Sequence, residues 1–142
     1  MAYLVYRRRM TVEWGHCDPV GNVFNSRFYE YFDTSSWSLF EAALGVAPPN
    51  LGATFDIVGI PLVAAGARVM SPVRFGDTIE IHSTIGEFRR SSFEVQHRIF
   101  VGETLAVEGS ETRVWAEAAK DDPAKLKARP IPPEVIARFA AP

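Results

Sequence analysis

From residue 3 to residue 14, Met10, Val12 and Trp14 alternate with polar neighbours on one face, which reads as a strand. From about Ser26 to residue 44 the period lengthens. Phe28, Phe32, Leu39 and Ala43 fall on one side at helical spacing, and Tyr29, Trp37, Phe40 and Leu44 fall near another. Two apolar sides predict a long helix buried around most of its circumference. Gly45 offers a stop, with Pro48 and Pro49 beyond it. Residues 56–59 read as a loop or strand entry, and residues 60–70, rich in small side chains, as a strand close to other backbones. Three long strands are predicted next, over about 77–88, 93–101 and 104–118. Val101-Gly102-Glu103-Thr104 suits a tight hairpin and Arg89-Arg90-Ser91-Ser92 a second turn. Residues 132–139 suggest a short terminal helix.

One long early helix and about five strands predict an α+β domain with the helix on one face of the sheet. The pattern itself leaves the strand order open. A length of 142 residues predicts one domain, 1–142, with a Pro-rich C-terminal extension over 121–142 as its loosest part. A hydrophobic content of 47% supports a folded core. The net charge of −2 argues against a nucleic-acid partner, and Arg7-Arg8-Arg9 reads as a solvated piece of strand. The single cysteine, Cys17, excludes an intrachain disulfide, and with no signal peptide visible a cytoplasmic location is expected. The longest uncharged, mostly apolar stretch, residues 57–67, is too short for a membrane helix, so no membrane association is expected.

The most distinctive chemistry lies in Trp14-Gly15-His16-Cys17-Asp18-Pro19-Val20-Gly21-Asn22-Val23-Phe24-Asn25-Ser26-Arg27-Phe28-Tyr29. Asp-Pro-x-Gly fits a type I turn, and the side chains of Asn25 and Ser26 are suited to capping the helix that follows. A carboxylate facing a helix N-terminus is suited to attack on a polarised carbonyl. His16 and Cys17 are sequence neighbours that point to opposite faces if extended, so they do not read as a nucleophile–base pair; Cys17 reads as a small buried apolar residue. His82 alternates with Ile79, Ile81 and Ile85 and is expected at the surface, with His97 another strand residue. The histidines lack ligand-type spacing, so no metal is expected. No Walker-type loop or dinucleotide glycine motif is present.

The Asp18 segment resembles the 4-hydroxybenzoyl-CoA thioesterase family of the hot-dog fold. Ser71-Pro72-Val73-Arg74-Phe75-Gly76-Asp77 and Glu87-Phe88-Arg89-Arg90-Ser91-Ser92-Phe93 agree in order and separation, so the likeness covers about residues 8–116. The resemblance implies a curved antiparallel sheet wrapped around the central helix, in a homodimer or homotetramer. It implies an acyl-CoA thioesterase that uses no cofactor, with Asp18 as nucleophile or general base. The backbone N–H of Asn25, with that of Phe24, would polarise the thioester carbonyl. Phe24, Phe28, Phe32 and Trp37 would furnish the acyl pocket, with Asp33 lining it, and Arg89 and Arg90 would bind CoA phosphates. The family's 4-hydroxybenzoyl enzymes carry Tyr where this chain has Asn25, and its basic cluster can include a third cation where this chain has Ser91. An aromatic acyl group is expected ahead of a short aliphatic one. The alternatives are a non-catalytic acyl-CoA-binding module and a hot-dog dehydratase or hydratase. The latter relies on a His with an acidic partner, whereas here the one nearby His, His16, precedes the acid.

Overall fold

The computed structural model describes residues 2–142. Five strands, β1 (Val5–Thr11), β2 (Leu62–Val69), β3 (Thr78–Phe88), β4 (Ser92–Val101) and β5 (Thr104–Val114), form one antiparallel sheet in the order β1-β3-β4-β5-β2. The long helix α1 (Asn25–Leu44) packs on one face. A short helix α2 (Leu51–Phe55), a ribbon of β6 (Ala116–Ala118) with β7 (Leu126–Ala128), and helix α3 (Pro133–Arg138) complete the chain. This is the α+β hot-dog architecture anticipated above.

Period-two alternation orients the sheet. Ile79, Ile81 and Ile85 on β3 and Phe93, Val95 and Ile99 on β4 are buried against α1, while Glu80, His82, Thr84, Gln96 and Arg98 face outward. The helix buries one stripe: Phe28, Tyr31, Phe32, Ser35, Ser36, Leu39, Phe40 and Leu44. Asp33, Thr34, Glu41 and Ala42 remain exposed and Tyr29 is 41% accessible, so the helix is not buried around most of its circumference. Its apolar content is wide because Tyr29 and Trp37 flank the stripe. Gly45 closes it at φ 69, a left-handed position with little steric cost for glycine, and its N–H bonds Glu41 C=O.

Other expectations are corrected. The first strand stops at Thr11, and Trp14, 56% exposed, begins a 3₁₀ turn (Trp14–His16). The N-cap of α1 is Phe24, and neither Asn25 nor Ser26 caps it through a side chain. The small-residue strand β2 is an edge strand, exposed at seven of its eight positions, rather than enclosed by other backbones. The last long strand divides at Trp115, where the chain leaves the sheet for the ribbon. Arg8 departs from its solvated neighbours: its guanidinium donates to Ser35 Oγ (3.1 Å) and Tyr31 C=O (3.0 Å), tying β1 to α1. The C-terminal extension is not loose throughout, since Ile131, Val135 and Phe139 enter the core beside Phe40, Phe93 and Trp115.

Candidate active site

Asp18 sits in a small hairpin that the chain builds between the 3₁₀ turn and α1. Gly21 N–H donates to Asp18 C=O (2.9 Å), closing the turn, and Asp18 N–H donates to Asn22 C=O (2.8 Å). Gly21 has φ 92, a conformation that would strain an L side chain. Asp18 Oδ1 accepts the N–H groups of Val20 (2.9 Å) and Asn22 (3.0 Å). Its carboxylate is thereby oriented by its own loop, while among the described residues Oδ2 makes no hydrogen bond.

The Ser71–Asp77 motif clamps this hairpin from outside. Val23 N–H bonds Val73 C=O and Phe75 N–H bonds Gly21 C=O, both at 2.9 Å. The rings of Trp14 and Phe75 meet edge to face at 5.4 Å. Asp18 then lines a cleft of about 280 Å³ with Asn22, Val23, Phe24, Asn25, Phe28, Val69, Pro72 and Val73. The first turn of α1 opens into the same cleft. Phe24 N–H bonds His16 C=O (3.0 Å), so it is not the second carbonyl donor expected, and Arg27 N–H bonds Phe24 C=O (2.9 Å), while among the described residues the N–H groups of Asn25 and Ser26 have neither a partner nor a side-chain cap. They are donors beside a carboxylate, under the positive end of a 20-residue helix.

The neighbours of Asp18 are held apart from it. His16 Nδ1 lies 2.9 Å from the Tyr31 hydroxyl, whose pKa burial pushes up to about 12. Cys17 is buried, its thiol directed at Glu13 C=O (3.5 Å), and burial together with Asp18 raises its pKa. A Cys–His pair is absent, as the sequence indicated.

Of the other expected site residues, only Phe24, Phe28 and Asn25 join Asp18. Phe24 is a half-exposed wall and Phe28 the buried floor. Phe32 stacks on the His97 ring at 4.7 Å inside the core, and Trp37 with Asp33 borders a separate groove along the exposed side of α1. Arg89 and Arg90 sit in the β3–β4 turn, near the C-terminal end of α1. Eleven residues of β3, roughly 35 Å, separate that turn from the Asp18 end of the sheet. Arg89 is paired with Glu87 (3.2 Å) and Glu94 (2.9 Å), whereas Arg90 makes no ion pair among the described residues.

A buried polar cluster between sheet and helix escaped the sequence reading. Ser36, His97 and Glu111 are each at most 3% exposed. Ser36 Oγ donates to Glu111 Oε1 and lies 3.2 Å from His97 Nε2, while Ser83 Oγ lies 2.6 Å from His97 Nδ1. Neutral His97 with its proton on Nε2 satisfies every one of these contacts. Burial opposes the Glu111 charge, but His97, Ser36 and Arg113 outweigh it and hold the carboxyl down to about 2. Arg113 bonds Glu111, Ile60 C=O (3.0 Å) and Asp33 (2.6 Å), and its guanidinium lies over Trp37 at 5.3 Å. The residue types match a hydrolytic triad, but Glu111 meets the Ser36 side of the imidazole rather than Nδ1, and all three side chains are buried. The cluster is structural. Period two on β5 places Gly109, Glu111 and Arg113 opposite Glu108, Ser110 and Thr112. Both faces read as polar, so parity could not have told which was buried. Among the described residues no group of three or more His, Cys, Asp or Glu side chains is placed to hold a metal, and no helix is long and apolar enough to cross a membrane.

A five-stranded antiparallel sheet wrapped on one long helix is the architecture of the hot-dog thioester hydrolases. The family model of the thioesterase-like superfamily matches residues 12–139, and the chain belongs to that superfamily. It is 29% identical over 131 residues to the 4-hydroxybenzoyl-CoA thioesterase of Pseudomonas sp. strain CBS-3, covering 88% of this chain and 90% of that one. The structure of the Pseudomonas enzyme superposes with a TM-score of 0.82 at 26% identity, over 94% of this chain and 98% of that one. A variant of 4-hydroxybenzoyl-CoA thioesterase complexed with 4-hydroxybenzoyl-CoA gives 0.85 at 25% identity, over 96% and 99%. A gentisyl-coenzyme A thioesterase gives 0.76 at 28% identity, over 96% and 100%.

Proposed function

We propose that this thioester hydrolase acts on acyl-CoA, with an aromatic acyl group of the 4-hydroxybenzoyl kind as its preferred substrate. The observation that carries the reading is the pairing, in one cleft, of the Asp18 carboxylate with the uncapped first turn of α1. The thioester carbonyl oxygen accepts the N–H of Asn25, where the helix dipole favours the negative charge that develops on attack. Asp18 either attacks the carbonyl carbon and expels CoA thiolate, leaving a mixed anhydride that water opens, or takes a proton from the attacking water. Both routes consume one water and give the free acid and CoA thiol. Phe24 and Phe28 flank the acyl group. The likeness to enzymes named for 4-hydroxybenzoyl-CoA and gentisyl-CoA supports an aromatic acyl group. A dehydratase is disfavoured because no histidine lines the Asp18 cleft.

The reading extends to the assembly. Arg89 and Arg90 are too far from Asp18 to grip the same CoA within one chain, so they serve the site of a second protomer, and Asp33 reaches the acyl pocket from a second protomer as well. The exposed edge of β2, with Val63 60% and Val69 45% accessible, supports pairing of two copies along that edge.

Thiol release from a panel of aromatic, short-chain and long-chain CoA esters tests the activity. Aromatic esters are expected to turn over fastest. Asp18→Asn keeps the turn's shape and removes the charge, so turnover should fall by about 10³-fold or more while the circular dichroism spectrum persists. Near-normal turnover by a folded Asp18→Asn protein would refute the assignment.

A further inference from the structure

The face of the sheet remote from α1 carries a row of cations that the catalytic cleft does not use. Strand register sets Arg7 opposite His82, His82 opposite Arg98, Arg98 opposite Glu108 and Glu108 opposite Arg68. These five residues form one line across all five strands. Arg7, Arg98 and Arg68 are each two strands apart, about 10 Å. All three are exposed, and among the described residues none has a carboxylate within ion-pair distance. The nearby acid Glu80 is already shared between His82 (2.7 Å) and Arg9 (3.6 Å). Arg7, His82 and Arg98, with Val5, Thr84 and Gln96 from the next row, line a depression of about 290 Å³ that contains no acidic residue. A second depression, of about 430 Å³, continues from Gln96 and Arg98 toward Arg68 and Ser110, but Glu108 lines it between the two arginines.

Edge protection explains part of this pattern, because a cation on an edge strand discourages unwanted pairing. It accounts for Arg7 on β1 but not for Arg68, because β2 is the edge assigned above to pairing between copies. It does not account for Arg98, which lies on β4, between β3 and β5. The first depression is free of acids, and its guanidinium and amide donors suit an oxyanion, while the Thr84 hydroxyl is already donated to Leu4 C=O (2.8 Å).

We propose that the outer face of the sheet is a binding site for a small phosphate-bearing anion. The phosphate sits between Arg7 and Arg98, with the Gln96 amide beneath it. The site lies across the sheet from Asp18 and stands independently of the acyl-CoA reading.

Inorganic pyrophosphate is the probe, titrated calorimetrically into the full chain at low salt. Orthophosphate and 3′,5′-ADP are titrated in parallel to separate a bare phosphate site from a nucleotide site. Wild type should bind pyrophosphate, more weakly as salt rises, and the His82 ring resonances should shift on binding. The double variant Arg7→Gln/Arg98→Gln should bind at least about tenfold more weakly. Both side chains are exposed, so the fold should persist, and a circular dichroism spectrum checks it. Arg98→Lys keeps the charge but loses the fork, and should bind at an intermediate level. Asp18→Asn should bind pyrophosphate as wild type does, which separates this site from the catalytic reading. The proposal is overturned if wild type shows no heat of binding at millimolar pyrophosphate, if the double variant binds as tightly as wild type, or if binding vanishes only on replacing Arg89 and Arg90.

Discussion

Gly109 lies opposite His97 on the inner face of the sheet, and the Phe32 ring lies against its backbone. A Cβ built there would fall 2.2 Å from Phe32 Cε2. The ring cannot retreat without losing its stack on His97, which is 4.7 Å away. Gly109→Ala should therefore lower stability by about 1–3 kcal/mol, read as a lower denaturation midpoint. Gly66→Ala, whose added methyl meets only Ser110 Oγ at 3.8 Å, is the matched control and should shift the midpoint much less. At this scale the sequence was most informative where chemistry is local. Asp18, Pro19 and Gly21 specify their turn through side-chain acceptor, ring and φ. The cap was less legible, because Asn25 and Ser26 favour capping but Phe24 is the residue that turns the corner, a choice made by its N–H bond to His16 C=O.

Between helix and sheet, the charge on Glu111 is the most exposed point of failure. Its carboxyl is held down to about 2 by His97, Ser36 and Arg113 against the cost of burial. An unfolded Glu titrates near 4.3, so the stabilisation is fully present above that value and is lost as pH falls toward 2. The size is of the order of 3 kcal/mol. Acid titration of the unfolding free energy should show this loss, and Glu111→Gln should flatten it. The same variant leaves Arg113 short of its buried partner and should cost about 3–5 kcal/mol at neutral pH. The elements themselves were legible wherever one face was apolar, as on β3 and β4. Their limits were not. Trp14 continues an apolar alternation yet starts a 3₁₀ turn, because the backbone must fold back to present Asp18. The small residues of β2 suit a crowded interior equally well as a flat edge awaiting a partner.

At the scale of the whole molecule, the separation of Arg89 and Arg90 from Asp18 makes the assembly a testable part of the catalytic reading. Light scattering at micromolar concentration should report at least twice the 15.8 kDa chain mass. Replacing both arginines with Ala should raise KM for the CoA ester with much less change in kcat, since a phosphate contact is made equally in ground and transition states. The variant should also lose the preference for a CoA ester over its pantetheine analogue. A fully active monomer would contradict the shared site. The antiparallel hairpins of β3, β4 and β5 could be read from sequence, but strand order could not, because β1 and β2 reach their places through contacts 38 to 79 residues away.

The two ends of the described chain lie side by side. Leu4 N–H bonds Phe139 C=O at 2.7 Å and Ala141 N–H bonds Ala2 C=O at 2.9 Å. Topologically the fold is thus a ring with a seam, and the seam is movable. A short linker across the ends, with a new break between Gly102 and Glu103, would preserve every strand pairing while reversing the order in which the two halves emerge during synthesis.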